Sequence, residues 1–197
     1  MQRVNLQKKR TRLTHVGLIC DRPDAQPVLP QVFIGNEATF PEREMGGLCA
    51  DCPPNVILIR QKRAWNNAGV LRRILRLLAS ALRERRKAHW RPPMLRLQPV
   101  RILDVSLAHI QLSVARSCYA LGIWAIAPPA RLTWLLQPLD TRAFQTYKQY
   151  FGAACQRARL QTADGTLSVA QFLEAFFDAI RRVLQGHLMR HQWRDTA

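Results

Sequence analysis

The chain has 197 residues, enough for one domain with a single core, and a hydrophobic fraction of 48% excludes a disordered polycation. Its 30 Lys and Arg stand against 13 Asp and Glu, a formal charge of +17, so the expected partner is a polyanion: nucleic acid first, an anionic membrane surface second. An odd set of five cysteines (Cys20, Cys49, Cys52, Cys118, Cys155) and a start without a charged-then-apolar leader point to a reduced, intracellular protein, and no apolar run reaches membrane-spanning length.

In chain order, residues 8–12 (KKRTR) have the composition of a nuclear signal, but a solvated edge is the favoured reading. Residues 13–20 (LTHVGLIC) predict a strand that stops at the turn chemistry of Asp21, Arg22, Pro23 and Asp24. Residues 28–34 (VLPQVFI) predict a second strand ending at Gly35 and Asn36, the two together forming a hairpin. Gly, Pro and mixed charge then mark a loop or small insertion up to residue 55, followed by a short strand over 56–59 (VILI). Asn66 and Asn67 can cap the next helix, where Val70, Leu71, Ile74, Leu75, Leu78, Ala81 and Leu82 recur at helical spacing and Arg72, Arg73, Arg76, Arg83, Arg85 and Arg86 fill other positions. Its apolar side is wide enough to pack on a sheet.

After a polar, Pro-bearing stretch, residues 100–103 predict a short strand delivering Asp104. Residues 108–121 predict a helix closed by Gly122, and 123–127 another strand before Pro128 and Pro129. Strand, helix, strand is the order of a parallel pair in an α/β sheet. Residues 138–156 predict a helix with Leu139, Phe144, Tyr147 and Phe151 on one side. The last helix opens on a capping box, Ser168 to Gln171, and carries an apolar face of Val169, Phe172, Leu173, Phe176, Ile180, Val183 and Leu184 on its way toward Trp193.

Asp104 follows an apolar strand, and Asp140 opens a helix after the next strand and loop. In an open α/β sheet that order brings both acids to the carboxyl edge of neighbouring strands, where active sites form. Two carboxylates side by side repel unless a cation separates them, so such a pair suits Mg²⁺ or Mn²⁺ serving phosphoryl transfer. Residue type and spacing alone favour the plainer roles of a turn cap and a helix cap.

Other motifs are weaker. Cys49 and Cys52 have half a zinc-knuckle spacing without a second pair. Residues 163–172 imitate the tail of a calcium loop but put Leu160, Thr162 and Gln171 at ligand positions, so a turn and a capped helix is the better reading. His187 and His191 stand four apart with no Glu or third ligand.

Taken as strings, ILDVSLAH followed by GIWAIAPPARLTWLLQPLDTRAFQTYKQYF resemble the second half of the DDE-superfamily endonuclease domain of pogo and Tigger type transposases. That pattern runs through a strand ending in Asp with a His soon after, then apolar-Pro-Pro, then Leu-Leu-Gln-Pro-Leu-Asp with an aromatic and a Lys. Asp104, His109, Pro128, Pro129, Leu135, Leu136, Gln137, Pro138, Leu139, Asp140, Phe144 and Lys148 match it. Upstream, KKRTRLTHVGLIC with VLPQVFIG is similar to the family's hairpin, and Lys62, Arg63, Ala64 and Trp65 to its lead into the first helix. The similarity covers roughly residues 8–151.

The resemblance implies an α/β, RNase H-like mixed sheet flanked by helices. It also implies a two-metal site of Mg²⁺ or Mn²⁺ for DNA cleavage and strand transfer, DNA as partner, and a nuclear location. The second and third catalytic acids carry over to Asp104 and Asp140, with His109 beside the first of these. Apart from the resemblance, Arg72, Arg73 and Arg76 on the basic helix join Lys148 as DNA-contact candidates. A charge run usually only solvates the outer side of a packed helix, however, and the whole-chain excess rather than this helix favours nucleic acid. The family's first catalytic Asp lies on an opening strand that this sequence does not show, and the Asn after its second acid is Val105 here. The resulting expectation is a partial DDE endonuclease-like domain over residues 8–156, its first strand missing, with a helical C-terminal extension over 157–197, that binds nucleic acid and is degenerate for cleavage. Two alternatives stand beside it: a fragment of an active transposase whose first Asp lies upstream, and a basic helix that binds a protein or a membrane surface. Self-association is left open.

Overall fold

A computed structural model of the chain describes residues 13–20, 22, 24–42, 52–89, 100–102, 110–126 and 143–185. Its elements are β1 (Leu13–Val16), a 3-10 turn (Gln26–Val28), β2 (Gln31–Asn36), β3 (Val56–Gln61), α1 (Ala68–His89), β4 (Val100–Ile102), α2 (Leu112–Ala120), β5 (Trp124–Ile126), α3 (Phe144–Leu160) and α4 (Val169–Ala179). A π-helical turn, Ile180–Leu184, continues α4. The architecture is mixed α/β, with a three-stranded mixed sheet and, among the described residues, four α-helices.

β1 runs antiparallel to β2, Leu13 opposite Gly35 and Val16 opposite Val32. β3 pairs parallel on the other side of β2, Gln31 opposite Val56 and Asn36 opposite Gln61. The central strand is therefore β2, and Val32, Phe33 and Ile34 are fully buried on both of its faces. A continuous apolar run, not an alternating one, is what a strand covered on both faces requires.

The antiparallel pairing of the first two strands is as expected, but two details differ. Residues 28–30 are not part of β2: Pro27 and Val28 belong to the 3-10 turn, and Pro30 has no N–H to give a ladder. The strand opens at Gln31, whose N–H donates to the Asn55 carbonyl at 2.8 Å, and continues through Gly35 and Asn36. The link between β1 and β2 is accordingly a long connection and not a tight turn. Two buried glutamines organise it. Gln31 accepts from the Leu18 N–H and donates back to the Leu18 carbonyl, while Gln26 accepts from the Cys20 N–H and donates to the carbonyls of Leu18 and Leu184.

Alternation along the strands divides the core between the two faces of the sheet. On one face, Val32, Ile34 and Ile59 pack with Leu71, Ile74, Leu75 and Leu78 of α1, and α2 adds Val114 and Cys118. On the other, Phe33 and Val56 pack with Tyr147, Ala154 and Cys155 of α3 and with Phe172, Leu173, Phe176 and Ile180 of α4 and its π turn. The rings of Phe33, Phe40, Phe172 and Phe176 meet at 5.0–6.3 Å between centroids, mostly edge to face.

The expected helix caps are present. The Asn67 side chain accepts from the Val70 N–H at 3.0 Å and opens α1. Ser168 and Gln171 exchange both bonds of a capping box at the start of α4. Gly122 stops α2 in the left-handed region, at a φ of 68°. That helix begins at Leu112, later than expected, because Gln111 has extended backbone. β4 and β5 pair in parallel, Val100 opposite Trp124 and Ile102 opposite Ile126, as strand-helix-strand order predicts. The expected division after residue 156 falls inside α3, which runs on to Leu160, and α4 packs in the same core as β2.

Candidate nucleic-acid interface

The outer side of α1 is built from its own periodicity. With Leu71, Ile74, Leu75 and Leu78 buried against the sheet, Arg72, Arg73, Arg76 and Arg83 fall on the exposed side. No acid occurs in this helix before Glu84. At 1.5 Å per residue the exposed arginines span about 16 Å of the helix axis. Docking of the apolar face also leaves α1 without the free amphipathic surface that a membrane-surface or peptide-groove binder needs.

Lys148 is exposed on α3, its Nζ 5.8 Å from the centroid of the Phe144 ring. Since α1 and α3 cover opposite faces of the sheet, Lys148 does not extend the arginine surface of α1. The candidate acids Asp104 and Asp140, and His109 with them, lie outside the described residues, as do Pro128, Pro129 and the Leu-Leu-Gln-Pro-Leu-Asp stretch. Cys49, His187 and His191 lie outside them too. Among the described residues, no three His, Cys, Asp or Glu side chains gather as metal ligands would, and no helix is long and apolar enough to cross a membrane. Cys52 donates its thiol hydrogen to the Val56 carbonyl, and Cys118 and Cys155 are buried in helices. The Asp164 turn is a local device: its carboxylate accepts from the Thr166 N–H and hydroxyl, and Gly165 takes a φ of 64°.

Two residues to which the sequence assigned no site role stand out in the structure. His15, on β1, is enclosed by Phe144 and Tyr147 of α3 and Phe176 of α4, at centroid distances of 5.9, 5.0 and 5.0 Å. Neither ring nitrogen has a hydrogen-bond partner among the described residues. Burial drives the imidazole pKa down to about 4, an effect that the nearby Gln31 amide opposes only in part. Burial likewise raises the Tyr147 phenol and the Cys155 thiol above their ordinary ranges, Arg159 partly offsetting the latter. One polar residue in a short strand gives no periodic signal of such a box, which is closed by helices far along the chain.

The second is Trp65, exposed on the turn between β3 and α1 beside exposed Lys62 and Arg63. Its signal was present in the sequence, a Trp next to two cations, but there it read only as a lead into the helix. Comparison of the chain with protein-family models, curated proteins and solved structures gives no match.

Proposed function

We propose that the chain binds nucleic acid as a DDE endonuclease-like, RNase H-like domain that is degenerate for cleavage, and that the outer side of α1 contacts the phosphate backbone. The observation that carries the binding is the exposed set Arg72, Arg73, Arg76 and Arg83 on a helix whose other face is buried in the core. With a formal charge of +17 behind it, this surface attracts polyphosphate without selecting a sequence. The endonuclease part of the reading is supported by the sequence resemblance. Asp104 and Asp140 would hold Mg²⁺ or Mn²⁺, which supplies charge neutralisation at a reacting phosphate when bound. Two acids alone hold such an ion incompletely, so the activity assigned to these residues is binding and not cleavage.

Filter binding across a salt series tests the proposal. Affinity for duplex DNA should fall by about 0.9 log unit per log unit of salt for each phosphate contacted. Replacing Arg72, Arg73 and Arg76 together with Gln should lower that slope by about 3. Absence of affinity at low salt would overturn the binding, and Mg²⁺-dependent nicking that is lost in Asp104→Asn would overturn the degeneracy.

A further inference from the structure

Trp65 is held in place by the turn that presents it. The Asn36 side-chain amide donates to the Lys62 carbonyl at 2.7 Å, the Thr14 hydroxyl to the Ala64 carbonyl at 2.6 Å, and the Gln61 side-chain amide to the Trp65 carbonyl at 2.5 Å. The Trp65 N–H itself donates to the Arg63 carbonyl at 2.7 Å. Ala64 packs into the core beneath, so one side of the turn is anchored while the indole remains 63% exposed. Three strands, β1, β2 and β3, thus contribute to fixing the backbone that presents one exposed aromatic side chain. A preformed turn loses little further freedom when a ligand settles on it.

The charges around it define the ligand. Lys62 and Arg63 precede Trp65, and Arg72 and Arg73 follow on α1, about 7 Å along the helix axis from the Asn67 cap. A flat apolar surface set between cations complements a chain in which planar rings alternate with phosphates. In a duplex the ring faces are already occupied by stacking, whereas a single strand offers them to an aromatic side chain.

We propose that Trp65 is a stacking platform for an unpaired base of single-stranded nucleic acid, with the strand's phosphates passing over Lys62, Arg63 and the first arginines of α1. This rests on the nucleic-acid reading above and adds to it the strand state of the ligand. The test is fluorescence anisotropy with a labelled oligothymidylate and with a duplex of equal length, using the full chain, Trp65→Ala and Trp65→Phe.

Trp65→Ala should weaken single-strand binding about 5- to 150-fold, and Trp65→Phe should retain most of it. Duplex affinity and both salt slopes should stay where they are. Unchanged single-strand affinity in Trp65→Ala, or equal weakening of both ligands, overturns the platform while leaving nucleic-acid binding intact. If the unaltered chain shows no salt-sensitive affinity for either oligonucleotide, both proposals fall. A preference for phosphatidylserine vesicles that disappears in Trp65→Ala would overturn the platform in favour of a membrane contact.

Discussion

Acidification should loosen the packing of α3 and α4 on the sheet through a single side chain. His15 is half-buried as a residue, but its ring nitrogens are buried among Phe144, Tyr147 and Phe176 and lack partners among the described residues, and its folded-state pKa is lowered from 6.5 to about 4. A group that binds its proton more weakly in the folded state gives stability that is complete above the unfolded pKa. That stability is lost as pH falls toward the folded pKa, here from about 6.5 to about 4. At pH 5 the unfolded imidazole is almost fully protonated and the folded one is not, a loss of about 2 kcal/mol; below pH 4 the loss levels off at roughly 3 kcal/mol. Among the facing groups only the Gln31 amide compensates, and only in part: the rings of Phe144 and Phe176 are apolar, and Tyr147 is a neutral phenol throughout this range. His15→Phe keeps a ring in the box and removes the titration. Urea unfolding of both chains at pH 7.5, 6, 5 and 4.5 should show the unaltered protein losing ground to the variant by these amounts. Parallel pH profiles for the two chains would refute the reasoning.

Three further outcomes can be read from the same unfolding assay. Gly35→Ala should cost about 1–3 kcal/mol, because a β-carbon there would stand 2.8 Å from Phe40 Cδ2 and 3.1 Å from Phe33 Cε1, two buried rings with little room to withdraw. Gln26→Leu should cost about 3 kcal/mol, since it removes the donor to the Leu184 carbonyl and the acceptor for the Cys20 N–H inside the core. Ser168→Ala should cost about 1 kcal/mol by opening the capping box of α4, in which the serine hydroxyl accepts from the Gln171 N–H at 3.2 Å.

Periodic features were legible in the sequence and singular ones were not. The 3.6-residue recurrence of Leu71, Ile74, Leu75 and Leu78 specified both the buried side of α1 and, by subtraction, its arginine side. The capping chemistry of Asn67, Ser168 and Gln171 and the left-handed Gly122 marked helix ends for local reasons that hold in any fold. The start of β2 was misplaced because Val28 and Leu29 are as apolar as the strand that follows. Their burial comes instead from a connection organised by Gln26 and Gln31, whose partners at Leu18 and Leu184 are distant in sequence. Parallel pairing of β3 with β2 was equally hidden, since a short apolar run carries no direction. Of the site, the basic surface could be read from spacing. The box around His15 and the pinning of Trp65 depend on residues brought together only by folding.

Magnitudes separate the two features on which the functional reading rests. Like charges one helical turn apart, such as Arg72 and Arg76, cost only a few tenths of a kcal/mol on a solvated surface. Burying each of Leu71, Ile74, Leu75 and Leu78 contributes about 1.5–3 kcal/mol, so docking of α1 outweighs the repulsion several times over. An arginine-rich outer side is therefore cheap for the fold to carry. Trp65 is different. Leaving nearly two thirds of an indole in water forgoes roughly 3 kcal/mol of apolar burial, at a position that hydrogen bonds from three strands hold still. The arginines fit any polyanion, whereas an indole presented on a held turn fits one that can offer it a free ring face, and that narrower demand makes Trp65 the more discriminating residue to substitute first.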